Sequence, residues 1–289
     1  MPGHSPVGSE PLPILLPTSE QVGVDEVYVP AGWFWCGADP ERNGLPRERV
    51  WVDGMVIQRH PVTNGEYLEF LNDLVKRWRE PEALQALPGS QPGFPRFEPD
   101  RAGIWGLARD SEGRPYGADW PAVMVDWRSA AAYSSWASVR ESKPWQLPME
   151  LQWEKAARGA DGRIFPWGNY LDPTWTCMIE SQGGRANPAP VGSYAEDDSP
   201  YGVRGLAGNV RDWCRDAYLP RGPRIRSDGR MASDRTLAGD GPVYRAVRGG
   251  CWSVRAEDCR ASWRNGHTED AKLPDVGFRL ARRLDVTGR

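Results

Sequence analysis

Residues 248–282 read RGGCWSVRAEDCRASWRNGHTEDAKLPDVGFRLAR. A glycine pair, Gly249 and Gly250, opens the stretch, and Cys251 and Cys259 stand eight positions apart behind it. Trp252, Arg255, Asp258, Trp263, Arg264, Asn265 and His267 mix aromatic, charged and amide groups along a segment that reads as loop. Function tends to sit on loops carried by a rigid scaffold, and Trp and Arg are the side chains that most often anchor interfaces. Arg255, Asp258, Arg264 and His267 are therefore expected at the rim of a ligand pocket, and Trp252 in the core.

The rest of the chain has the composition of a loop-rich globular protein. Its 289 residues suffice for one large domain or two ordinary ones. Fifteen Trp accompany 32 Gly and 27 Pro, so large flat side chains are expected to fill spaces between irregular segments. A net charge of −3 gives no reason to expect nucleic-acid binding. No apolar run is long enough to span a membrane. The N-terminal apolar patch, Leu12 to Leu16, is short, Pro-broken and lacks a preceding basic region, so no signal peptide is expected. Five widely spaced cysteines without a CxxC pair are read as reduced thiols of a cytoplasmic protein, without structural zinc.

Residues 1–24 are rich in Pro, Ser and Gly and are expected to form a flexible tail or linker before a single domain over 25–285. An alternating strand is predicted at Asp25–Val29, and another at Trp33–Trp35 with Val50–Val52 and Met55–Ile57 as hairpin partners. Thr63 and Glu66 have capping-box spacing, and Tyr67, Phe70, Leu71, Leu74, Val75 and Trp78 follow at helical period, with Pro81 limiting the helix. Residues 89–117 are expected to be irregular. A second helix is predicted over 128–139 behind Asp126, packing through Ala131, Tyr133 and Trp136, and a third over 149–158. Turns and short strands are expected beyond Gly159.

Several segments, in order, resemble the formylglycine-generating enzyme (sulfatase-modifying factor) family. They include Pro30–Gly37, Pro61–Tyr67, Pro121–Trp127, Trp153–Gly159, Phe165–Asn169, Ser199–Gly202, Gly208–Trp213, Arg248–Gly250 and Val276–Arg279. The resemblance covers about residues 26–283 and implies a C-type-lectin-like fold: an α+β domain, loop-rich, with few helices and short strands. It also implies three chemistries to weigh.

Active oxidases of the family bind Cu(I) through two Cys thiolates of the Gly-Gly block and oxidise a substrate cysteine to formylglycine; soft thiolates suit Cu(I). The resemblance sets those cysteines five positions apart, the first near Val254. The segment before Arg260 is read as shorter than in the oxidases, which leaves the second position without a Cys. Cys251 falls where the family usually has Ser. Cys251 and Cys259 are then expected to be packed small hydrophobes, with a rearranged copper or redox pair as the alternative, and copper is not expected. Another branch of the superfamily uses a three-His iron site with an HxxxH pair; His4, His60 and His267 have no such spacing, and no iron is expected.

Calcium is the third. By resemblance, Asn209 would supply a side-chain oxygen, Val210 a carbonyl and Asp212 a carboxylate where the family usually has Glu; the alternative is a plain turn held by local hydrogen bonds. A second family calcium site lacks its Asn, because Met178 stands there. The family's third helix opens with Thr and, three residues on, Glu. Here Met149 and Gln152 replace them, a loss of about 1 kcal/mol of capping.

The leading reading is thus a bacterial, non-catalytic family member that binds or senses a protein or small-molecule ligand, with calcium as the one expected metal, and acts beside an effector domain or chain of the same system. The alternatives are a copper-dependent oxidase of protein or small-molecule thiols and a retroelement-diversified ligand binder. The last fits less well, because residues 251–274 contain one Asn, two Ser and no Tyr.

Overall fold

The computed structural model describes residues 16–37, 45–77, 79–91, 97–109, 117–183, 186–232 and 243–284. Residues 1–15 with His4, Trp78 and the residues from 285 onward lie outside the described residues. In chain order the first elements are β1 (Glu26–Val29), β2 (Gly32–Cys36), β3 (Glu48–Val52), β4 (Met55–Gln58), α1 (Asn64–Lys76) and α2 (Glu80–Ala86). There follow β5 (Phe97–Pro99), β6 (Trp105–Leu107), α3 (Trp127–Glu141) and α4 (Glu150–Arg158). The C-terminal half holds β7 (Arg211–Ala217), β8 (Tyr244–Arg248), β9 (Arg264–Thr268), β10 (Val276–Gly277) and β11 (Ala281–Arg283). This is the expected α+β, loop-rich domain with few helices and short strands.

Strands β2 and β3 pair antiparallel, as predicted. β4 does not join them: it pairs with β1 on one side and β11 on the other, bringing the first and last described strands into one sheet. A second sheet runs β10-β7-β8-β9, with β10 parallel to β7. Within 89–117, expected to be irregular, β5 and β6 form a short hairpin. The last residues of the predicted tail lie on the domain: Val22 packs against the core and the Gln21 carbonyl accepts from Arg282 Nη2 at 2.5 Å.

The α1 capping box is present. Thr63 Oγ1 accepts from the Glu66 N–H at 3.3 Å and Glu66 Oε2 accepts from the Thr63 N–H at 2.7 Å. The stripe Tyr67, Phe70, Leu71, Leu74 is buried, and Tyr67 stacks on Tyr133 of α3 with centroids 5.8 Å apart. Pro81 does not limit α1. It sits in the first turn of α2, where a missing N–H costs nothing. Asp126 caps α3 by accepting from the Ser129 N–H at 2.8 Å.

Met149 gives α4 no capping group, but the cap is not simply lost. Gln152 Oε1 accepts from the Met149 N–H at 2.9 Å, and Asp216 of β7 reaches across to accept from the Glu150 N–H at 2.6 Å. Leu151, Trp153, Ala156 and Ala157 are buried. The other face of α4 is charged and equally buried. Arg248 binds Glu154 at 2.7 Å and Glu150 at 3.3 Å, Arg264 grips Glu150 at 2.5 and 3.0 Å, and Arg158 binds Glu154 at 2.8 Å. Each of these charges faces an opposite one, which is what permits its burial, while buried Lys155 donates instead to the carbonyls of Pro30, Gly32 and Val52. The network fixes α4 against β8 and β9, directly beneath the start of the Gly-Gly loop.

Candidate functional site around the glycine pair

The loop from β8 to β9, residues 249–263, begins with two glycines because nothing larger fits. A Cβ on Gly250 would lie 2.2 Å from the Ala207 carbonyl oxygen and 2.7 Å from Cys259 Cα. Gly249 adopts φ +91°, in the left-handed region that favours glycine. The neighbouring 205–208 segment is held from below by Asp197. Its buried carboxylate accepts from the Leu206, Ala207 and Gly208 N–H groups, each at 3.2 Å, and from Thr176 Oγ1 at 2.6 Å. Burial pushes the Asp197 carboxyl up, and these hydrogen bonds pull it back.

Beyond the glycines the loop is pinned at intervals. The Trp252 N–H donates to the Asn209 carbonyl at 2.9 Å, and Trp252 Nε1 to the Pro274 carbonyl at 3.2 Å. The Val254 carbonyl accepts from the Ile179 N–H at 3.0 Å. One 3₁₀ turn, Ala256–Cys259, then brings the chain back, and Val254 and Ala256 pack on the cluster of Phe165, Met178, Ala207 and Cys259.

Both loop cysteines are fully buried. Burial raises the Cys251 thiol to about 11, and its Sγ lies 3.3 Å from Ser253 Oγ and 3.4 Å from Asp275 Oδ2. Burial also raises the Cys259 thiol well above its ordinary value, and its Sγ faces Met178 Sδ at 3.9 Å. Asp275 carries an ion pair to Arg211 at 2.5 Å, and Arg211 lies 4.2 Å over the Trp263 ring.

The sequence profile described as the Sulfatase-modifying factor enzyme 1-like domain matches residues 15–284. The chain belongs to the formylglycine-generating enzyme family. It is 33% identical to a formylglycine-generating enzyme of Streptomyces coelicolor, over 96% of this chain and 95% of that one. It is 30% identical to the serine/threonine-protein kinase Pkn1 of Chlamydia trachomatis over 89% of its own length, and spans 38% of that longer protein. Among solved structures, PvdO from Pseudomonas aeruginosa superposes with a TM-score of 0.65 at 23% identity, covering 90% of this chain and 94% of that one. The C-type-lectin-like fold follows from these likenesses.

Val254, at the first position of the expected pair, carries no thiol and packs its side chain on the cluster that holds Cys259. A two-thiolate Cu(I) site at 254 and 259 does not fit these residues, because Val254 has no thiol. Cys251 is directed to Ser253 and Asp275.

The calcium set does not fit either. Asn209, at φ +67°, uses both ends of its amide on Ala189: Oδ1 accepts from its N–H at 2.9 Å and Nδ2 donates to its carbonyl at 3.0 Å. The Val210 side chain packs with Val123 and Met124, a contact separate from the backbone carbonyl expected as the ligand. Asp212 is fully buried; its Oδ2 accepts from Arg279 Nε at 2.6 Å and Trp153 Nε1 at 2.7 Å. Its Oδ1 is buried without a hydrogen-bond partner, a single oxygen where Ca²⁺ takes six to eight. Among the described residues no group of three His, Cys, Asp or Glu gathers as a metal set.

The expected pocket rim does not assemble. Arg264 is 1% exposed and lies in the α4 network, because Glu150 holds it from below. His267, half-buried on β9, sits edge-on to Trp213 at 6.3 Å. Arg255, exposed, precedes the 3₁₀ turn and Asp258, half-buried, lies within it; the Asp258 N–H donates to the Arg255 carbonyl at 3.0 Å. His60 is half-buried on another part of the fold, beside Gly192. Asp197 and the α4 carboxylates were not singled out from the sequence; nothing local marks them, because their partners come from distant segments.

Proposed function

We propose that this domain is a non-catalytic member of the formylglycine-generating enzyme family that binds or senses a protein or small-molecule ligand. Val254 carries the reading: its apolar side chain packs on buried Cys259 where the oxidase chemistry needs a second thiolate. A thiol raised by burial is a weak Cu(I) ligand and a poor nucleophile. The kinase relative supports a module that works within a longer protein. Exposed Arg255 and half-buried Asp258, beside Cys259 in the chain, are the ligand contacts of this reading, in a cytoplasmic protein. Calcium has no part in it.

The test is Cu(I) competition against a colorimetric chelator, with mass spectrometry of a cysteine-containing peptide incubated in air. The protein is expected to take up no stoichiometric Cu(I) and to leave the peptide unchanged. Formylglycine in the peptide, lost in Cys259→Ser, would overturn the proposal. The second reading, a copper-dependent oxidase, is favoured by the Streptomyces relative, which matches along nearly its whole length.

A further inference from the structure

The outward face of β2 and β3 carries tryptophan and arginine in alternation. Phe34, Cys36, Val50 and Val52 point inward to a small core, which leaves Trp33, Trp35, Arg49 and Trp51 on the other side. Trp33 and Trp35 are 37% and 39% exposed, a large apolar area for a surface. Arg47 lies 5.0 Å over the Trp35 ring and Arg49 5.4 Å over Trp33, while Trp33 meets Trp51 edge-on at 5.7 Å. Among the described residues neither Arg47 nor Arg49 has a carboxylate partner.

This face runs on through Trp51 into a cleft of about 1290 Å³ that is lined by five arginines, of which Arg226, Arg230 and Arg245 pair with Asp228, Asp53 and Glu269. Arg215 there touches Gln146 and Met149 and no carboxylate among the described residues. Arg245 stacks 3.8 Å over Trp127, and Arg230 lies 5.1 Å over Trp51. The surface also displays how it holds a carboxylate. Asp53 Oδ1 accepts from Trp51 Nε1 at 2.9 Å and from Arg230 Nη1 at 2.7 Å.

We propose that this Trp–Arg face and its cleft dock an acidic polypeptide segment of a partner protein. Guanidinium groups match carboxylates in a fork geometry, and rings that pre-position them reduce the ordering cost of binding. The tryptophans supply the apolar contact that a purely ionic surface lacks. A polynucleotide is disfavoured because the whole chain carries −3, whereas a short peptide senses the local arginines within a Debye length. The proposal names a partner chemistry for the binding reading but stands on other residues, and its readout is independent of copper.

The test is fluorescence anisotropy of a fluorescein-labelled peptide of alternating Glu and Tyr, titrated with the whole protein. Saturable binding that weakens with salt is expected. Arg47→Gln/Arg49→Gln should weaken it about tenfold or more, the size of effect that losing charge-assisted contacts produces. Trp35→Ala should weaken it as well, and Arg77→Gln, an exposed change on α1, should not. Near-UV circular dichroism checks that the variants are folded. No saturation, equal affinity for the double variant, or equally tight binding of an oligothymidylate of matched charge would each overturn the proposal.

Discussion

Replacing Asp212 by Asn tests whether this carboxylate serves the fold or a cation. Asp212 and Arg279 are both fully buried, and Arg279 Nε lies 2.6 Å from Asp212 Oδ2. The remaining Arg279 donors go to the carbonyls of Arg59 at 3.1 Å, Arg204 at 3.0 Å and Gly205 at 3.1 Å, so this one guanidinium joins three chain segments. Asn keeps the size and one acceptor oxygen but removes the charge, leaving a buried cation without its counterion. Breaking a buried pair in this way costs about 3–5 kcal/mol, which for a domain of this size is a fall in Tm of roughly 6–15 °C. The assay is thermal unfolding of both proteins, each with calcium and with EDTA. EDTA is expected to leave the unmodified protein unchanged, and Arg279→Gln added to Asp212→Asn should cost less than the two changes summed. A loss below about 1 kcal/mol would refute the structural role. An EDTA-induced fall in Tm that vanishes in Asp212→Asn would place a cation on the carboxylate and refute the misfit argued above.

Val254→Cys should raise Cu(I) affinity by at least about tenfold in chelator competition, because two thiolates then face one site; an unchanged affinity would show that the two positions do not meet. All five cysteines are buried, with Cys36 and Cys177 pushed up to about 12 by burial, so a disulfide thiol reagent at mildly alkaline pH should react slowly with the native protein and with every thiol after unfolding. One rapidly labelled native cysteine would contradict this. Burial, with Arg279, Arg204 and Arg59 nearby, lowers His60 from an ordinary value of 6.5 to about 4. The unfolded chain therefore binds more protons than the folded one as pH falls from 6.5 through 4, and stability falls over that window. His60→Gln should flatten this acid limb in denaturant titrations, and an unchanged limb would exclude His60 as its source. Gly250→Ala should lower unfolding free energy by at least about 2 kcal/mol in urea, because two of the three atoms its methyl meets, the Ala207 carbonyl oxygen and Cys259 Cα, are backbone and the third is Cys259 Sγ; a neutral result would mean that the loop can move aside.

Sequence alone determined the parts of this protein that depend on neighbours a few residues apart. Thr63 and Glu66 had to be one helical turn apart to cap α1, and Asp126 three residues before the N–H it accepts, so spacing was enough to read both starts. Pro81 was ambiguous at that range, since proline both follows helices and opens them. The ordered motifs likewise marked the family and its loop-rich fold. The tertiary structure decided what the charged and sulfur groups are for. Arg264 reads as a surface residue until Glu150, 114 positions away, is seen to hold it. Asp212 reads as a metal ligand until Arg279, 67 positions on, reaches its oxygen. Asp216 restores an α4 cap from 66 positions off, and one 3₁₀ turn brings Cys259 back to Val254. The reason is physical: a buried charge or thiol takes its role from whatever opposes it at a few ångströms, and that neighbour is chosen by the packing of distant segments, not by the adjacent chain.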